Sequence, residues 1–215
     1  MKISLLYLGF LFAIIFLLNS CKKTEKEYWD NGQIKSSIEY KDGEKHGKAI
    51  YYFKNGSKQN EFIYESGILE GVSYQWNYNG VLLSSIEFSN DMMNGEAIYY
   101  DDEGKKLEIL HYKNDIIEGK YLRFYPNGEK KIEGFYKEGS FDGEWKYYDY
   151  TSILIGEASF NNGSGVQKAY YRNGKIKRII HYENSMKNGA EIWYAEDGSV
   201  NKHFFYENDK LIRQN

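Results

Sequence analysis

Asp42-Gly43-Glu44-Lys45-His46-Gly47-Lys48-Ala49-Ile50-Tyr51-Tyr52-Phe53-Lys54-Asn55-Gly56 is a stretch that the chain writes again and again with variations. Counting outward from Tyr52 gives an aromatic series at Tyr28, Tyr52, Trp76, Tyr100, Phe124, Tyr148, Tyr170 and Tyr194. A second series runs Tyr40, Tyr64, Phe88, Tyr112, Tyr136, Phe160, Tyr182 and Tyr206. Both advance by 24 residues, and both advance by 22 in the same interval, so the unit itself lost two residues there. The loss is read between Phe160 and Gly165, with Asn161-Asn162-Gly163-Ser164 replacing a longer turn. A period of this length defines a repeat architecture before any local propensity is consulted.

Glycines punctuate the unit twice. The first series is Gly32, Gly56, Gly80, Gly104, Gly128, Gly174 and Gly198, and five members follow an asparagine. Asn-Gly between apolar runs is a hairpin signal, read here as a type I′ turn with positive φ at both residues. The second series, Gly47, Gly71, Gly95, Gly119, Gly143, Gly165 and Gly189, is read as the return turn into the next unit. Between turns the residues alternate with period two, as strands with one buried face do. Ile50 and Tyr52 face one way and Ala49 and Tyr51 the other, while Phe62 and Tyr64 share a face. Gly134 and Ala158 are smaller residues in an otherwise branched or aromatic slot.

The expectation is an all-β fold: an elongated, twisted antiparallel meander of about eight 24-residue β-hairpin repeats in an open array, over residues 28–215. Sixteen strands at about 4.8 Å each give a sheet on the order of 75 Å wide. Each unit contacts mainly its neighbours, so stability accumulates along the array. Arg213-Gln214-Asn215 reads as a polar end.

Composition narrows function. The 28 Lys+Arg against 31 Asp+Glu give a formal net charge of −3, which lacks the basic excess that nucleic-acid phosphates require. One Cys excludes an intrachain disulfide and a multi-cysteine metal centre. That cysteine closes a particular segment. Met1-Lys2 is followed by a nearly unbroken apolar run from Ile3 to Leu18, short for a spanning helix but suited to a secretory signal. Leu18-Asn19-Ser20-Cys21 then resembles the lipobox of bacterial lipoproteins. The resemblance implies a signal peptide over residues 1–20, removed to leave Cys21 as the lipid attachment site. Residues 21–27 read as a charged tether. The expected address is the bacterial cell envelope, with the repeats outside the cytoplasm and the lipid in the inner or outer membrane.

The repeat itself resembles the MORN repeat, in the bacterial MORN-variant form found in proteins named YwqK-family antitoxins. Asp42 to Tyr52, Phe141-Asp142-Gly143-Glu144-Trp145, and Tyr125-Pro126-Asn127-Gly128 with Gly134-Phe135-Tyr136 carry the likeness. It implies a β-hairpin array that holds a partner protein, a toxin by the family name.

No catalytic grouping, metal-ligand spacing or phosphate-cradling loop emerges, so no enzyme, cofactor or metal is expected. His111 and His181 fill the same slot three units apart, a slot that also admits Glu39, Ile63, Glu87, Phe135, Ser159 and Phe205 and reads as surface. One slot beside the first aromatic series reads Tyr51, Gln75, Tyr99, Arg123, Tyr147, Ala169 and Trp193. Read as outward-facing, Tyr51, Tyr99, Arg123, Tyr147 and Trp193 form a candidate partner-binding ladder, because exposed Tyr, Trp and Arg dominate binding hot spots. The leading expectation is a non-enzymatic, membrane-tethered protein-binding scaffold. The alternative is a structural or glycan-binding scaffold of the cell envelope.

Overall fold

The computed structural model describes residues 21–215, so the expected signal segment 1–20 lies outside the described residues. Among the described residues there is no helix, and nineteen strands form a single antiparallel sheet. Each strand pairs with its sequence neighbours: Ile34–Lys41 with Glu44–Tyr52, and Glu44–Tyr52 with Lys58–Glu65. Two strands are interrupted. Ile68–Leu69 and Gly71–Trp76 both lie beside Lys58–Glu65, and Ile116–Ile117 and Gly119–Phe124 both lie beside Lys106–Lys113. Taking each interrupted strand as one leaves the sixteen strands of eight hairpins plus Lys210–Gln214, which pairs with Val200–Glu207 where a polar end was expected.

The N-terminal tether is also a strand. Lys22–Tyr28 pairs along its length with Ile34–Lys41 while every side chain stays exposed. Backbone pairing needs no apolar residues here, and alternating charges find partners: Lys23 with Glu25 at 2.6 Å and Lys35 with Glu27 at 3.1 Å. A charged strand of this kind suits a sheet margin.

The two turn types are exchanged relative to the sequence reading. At the five Asn-Gly sites of the first glycine series only glycine has positive φ, as at Gly32 (81°) and Gly56 (85°). Gly32 N–H donates to the Trp29 carbonyl at 2.9 Å and Trp29 N–H to Gln33 at 2.8 Å. This is a type I turn closed by a glycine bulge, in which Asn keeps an ordinary backbone and only the fourth residue needs left-handed geometry. The two-residue type I′ turns lie at the opposite end of each hairpin, at Asp42-Gly43 (54°, 90°), Asn90-Asp91 (53°, 65°) and Asn208-Asp209 (48°, 65°) among others. Small acceptor-bearing residues tolerate these angles.

Apart from Gly165, the second glycine series marks not a turn but a bulge inside a strand. Tyr40 pairs with Lys45 and Ile38 with Ala49, so Glu39 faces three residues, His46 to Lys48. Gly47 adopts a φ of 104° there. This explains the 22-residue unit. The Asn162-Gly163 turn keeps type I′ angles (48°, 80°), and from Asn161↔Ser164 to Gly156↔Ala169 the ladder runs without any register shift. The two missing residues are the bulge, and the turn is intact.

Register also decides which face is buried. Ala49 pairs with Phe62 and Tyr51 with Asn60, and paired residues share a face. Phe62, Tyr64, Ala49 and Tyr51 therefore lie together, and Ile50 and Tyr52 lie on the other side with Glu61. The first of these faces carries the main cluster: Leu110, Tyr121, Trp145, Ala158 and Phe160 are buried, with Tyr99, Tyr112, Tyr136, Phe141, Tyr147 and Tyr182 packed against them. Phe141 reaches Tyr182, two hairpins along, at a ring distance of 6.1 Å.

Size alternates across the ladder on that face. Ala49 opposes Phe62 and Ala97 opposes Leu110. In the fifth and sixth units the order inverts: Tyr121 opposes Gly134 and Trp145 opposes Ala158. A Cβ on Gly134 would fall within the Trp145 indole. The two small residues are thus the complement of two large ones, which keeps the layer at close-packed density.

Candidate binding surfaces of the sheet

The proposed aromatic ladder is largely committed to the buried face. Tyr51 packs edge-on against Phe62 at 6.0 Å, and Tyr99 and Tyr147 join the central cluster. Burial, with Tyr112 beside it, pushes the Tyr99 hydroxyl up to about 12, and burial raises Tyr147 as well. Trp193 donates its indole N–H to Glu191 at 2.7 Å and lies under the Arg178 guanidinium at 4.8 Å. Only Arg123 of the five is exposed, paired opposite Ile132 and Glu108. The outward reading of Tyr51, Tyr99, Tyr147 and Trp193 is therefore corrected. Both Tyr51 and Tyr52 are aromatic, so apolarity could not choose between them. Counting pairs outward from the Asn55-Gly56 turn would have set Tyr51 opposite Asn60.

The slot shared by His111 and His181 has a structural task. Each residue lies over the bulge glycine of the following strand. The Nδ1 positions of His111 and His181 are 2.9 Å from the carbonyls of Lys120 and Ala190. Glu39 and Glu87 do the reverse, accepting from Lys48 N–H at 3.0 Å and Glu96 N–H at 3.1 Å. A bulge leaves backbone groups outside the ladder, and buried or half-buried ones need a partner. Either polarity serves, so histidine and glutamate both suit the slot.

Two carboxylates are buried among cations. Burial alone would raise Glu61, but its bonds from Lys48 (2.8 Å) and Lys58 (2.5 Å) outweigh that and hold the carboxyl below its ordinary value. Glu191 is met by Lys187 at 2.8 Å and Arg178 at 3.7 Å. Among the described residues no group of three or more His, Cys, Asp or Glu is placed to hold a metal ion.

The face opposite the main cluster carries a row that the sequence reading passed over. Tyr148 pairs with Leu154, Tyr170 with Ile176 and Tyr194 with Val200, just inside the Asn-Gly end of the hairpins. Leu154, Ile176 and Val200 are 42%, 37% and 60% exposed. In the preceding units the same slot reads Ile34, Lys58, Leu82, Lys106 and Lys130. Lys58 and Lys130 cover Trp76 and Tyr148 there at 5.3 and 5.5 Å. Lysine thus breaks the row through the first five units, and the last three leave it apolar over about 24 Å of sheet. The signal was legible as three successive aliphatics in one slot. Cys21 is exposed at the far margin, its backbone N–H donating to Asp42 at 3.2 Å.

The fold and these surfaces define an open β-hairpin repeat scaffold. Residues 23–42, 93–114, 117–138, 141–162 and 164–184 match the MORN repeat variant, so the chain carries MORN-variant repeats at these five places. The hairpins between the first and second matches share the same turn bonding, as Phe53 with Ser57 and Asn77 with Val81 show. No curated protein matches the chain. Two solved structures, titled "Crystal Structure of TcdB2-TccC3-Cdc42" and "Crystal Structure of TcdB2-TccC3", align with 87% of it at 10% and 12% identity. The chain spans 16% of each, and a TM-score of 0.19 carries no argument.

Proposed function

We propose that this chain is a non-enzymatic, membrane-tethered scaffold that holds another protein, anchored through lipid on Cys21 and engaging its partner through the apolar row of its last three units. The family resemblance sharpens the partner to a toxin, and the scaffold to an antitoxin or immunity protein of the cell envelope. The observation that carries the reading is the row of Leu154, Ile176 and Val200 between Tyr148, Tyr170 and Tyr194. Contiguous exposed apolar surface of this kind is characteristic of interaction sites. The lysines that interrupt the same row elsewhere show that the fold does not need it apolar. The anchor reading rests on the lone cysteine after the apolar run. Its place at the start of the first strand would bring that strand, with Lys22, Lys23 and Lys26, close to the bilayer, where lysines favour anionic headgroups.

The test is affinity capture of the lipidated protein from its own cells, followed by mass spectrometry. A triple variant, Leu154→Lys, Ile176→Lys and Val200→Lys, installs the residue that other units already carry. It should keep its circular dichroism and lose the captured protein. Capture at undiminished stoichiometry by the triple variant removes the row from the interface. Cys21→Ser should move the protein from the membrane to the soluble fraction. Retention on cell-wall polysaccharide without any captured protein would instead favour the glycan-binding alternative.

A further inference from the structure

Five of the type I turns contain Asn-Gly, the pair in which the glycine amide most readily attacks the preceding side-chain amide. The fold gives the five asparagines different surroundings. Asn31 Oδ1 accepts from Gln33 N–H at 3.1 Å, and its Nδ2 donates to the Lys54 carbonyl of the next unit at 2.8 Å. Asn55 repeats this with Ser57 at 3.0 Å and Tyr78 at 2.9 Å, and Asn127 with Glu129 at 3.1 Å and Tyr150 at 2.9 Å. Asn173 keeps the first bond, from Lys175 at 3.0 Å. Asn79 has neither. The N–H that would bind it belongs to Val81, and that group donates to Asn77 Oδ1 at 3.0 Å, as does the N–H of Asn79 itself.

The cause is a single residue. Units with Trp29, Phe53, Tyr125 or Tyr171 at the first turn position leave the turn N–H groups to the asparagine. Asn77 supplies its own oxygen instead and displaces Asn79. The Asn79 carboxamide is exposed, has no hydrogen-bond partner among the described residues, and precedes an exposed Gly80.

We infer that Asn79 is a site of spontaneous deamidation, set apart by the fold from the other four Asn-Gly pairs that close type I turns. The Gly80 amide nitrogen, losing its proton to solvent, bonds to Asn79 Cγ. The Cγ–Nδ2 bond breaks and ammonia leaves, giving a five-membered succinimide. Water then opens either carbonyl of the ring to give aspartate or isoaspartate, adding one negative charge at the turn. At Asn31, Asn55 and Asn127 the side chain must first release two hydrogen bonds before Cγ can approach the glycine nitrogen.

The experiment incubates the intact folded protein at mildly alkaline pH and follows the five type I turn sites by peptide mapping and mass spectrometry. Asn79 should convert at least about fivefold faster than Asn31, Asn55 and Asn127, the factor that one net hydrogen bond of about 1 kcal/mol is worth. In denaturing urea, where local sequence alone sets the rate, the five should converge. Asn77→Tyr, which restores the Tyr125 arrangement, should slow Asn79 to the rate of Asn127 in the folded protein. Equal folded-state rates at Asn79 and Asn127, a gap that survives in urea, or an Asn77→Tyr variant that still converts rapidly would each overturn the assignment.

Discussion

Exchanging one large and one small residue between strands tests how the buried face is packed. Trp145 is 3% exposed and its indole lies 4.9 to 6.2 Å from the rings of Phe141, Tyr136, Tyr121 and Phe160. Trp145→Ala empties the centre of the cluster and should cost about 3–5 kcal/mol. Gly134→Leu puts a branched side chain into the volume the indole fills, so it should cost about 1–3 kcal/mol as an overpacked site. Across the corresponding bulged strand pair, the fourth unit already sets a branched residue beside an alanine, Ile86 opposite Ala97. In the double variant the leucine occupies space vacated by the indole, and the glycine's entropic cost in a strand is removed as well. The two changes should therefore couple favourably by about 1–3 kcal/mol, which offsets the Gly134→Leu cost and leaves the double variant about as stable as Trp145→Ala alone. Urea unfolding followed by far-ultraviolet circular dichroism gives the four stabilities of the cycle. Hydrogen exchange resolved to the fifth and sixth units confirms where protection returns. Strict additivity, or a double variant less stable than either single one, would refute the size-complementarity account.

Other expectations follow from the bulges and the buried hydroxyls. Deleting Asn188 and Gly189 should convert the bulge at Gly189 into the uninterrupted ladder seen from Asn161↔Ser164 to Gly156↔Ala169, keeping the circular dichroism spectrum; a collapsed or aggregated product would contradict the two-residue bulge. Glu87→Ala removes the acceptor for Glu96 N–H, so that amide should exchange faster while global stability falls by no more than about 1.5 kcal/mol. Burial, and for Tyr170 also the bond to Glu157, pushes Tyr99 and Tyr170 up to about 12 from 10.0. The fold therefore favours their neutral form: their stabilising contribution is complete below pH 10.0 and drains away as pH climbs towards about 12. Tyrosinate absorbance and circular dichroism recorded together should show the late-ionising tyrosines titrating with unfolding, and independent titration would contradict that linkage.

The amino-acid sequence by itself determined the period, the strands, the turns at the first glycine series and the all-β repeat architecture. Those follow from local chemistry: glycine and asparagine where backbone angles are unusual, and alternation where one side of a strand is buried. Tertiary pairing alone decided which side that is. Tyr51 and Tyr52 are equally good core residues in isolation, and the ladder that sets Ala49 against Phe62 gives the burial to Tyr51. Pairing also decided why Gly134 and Ala158 are small, because the reason lies in Tyr121 and Trp145 on the neighbouring strands. The apolar row of the last units is divided between the two: Leu154, Ile176 and Val200 are legible along the chain as aliphatics of one slot, and only strands laid side by side bring them into line with Tyr148, Tyr170 and Tyr194.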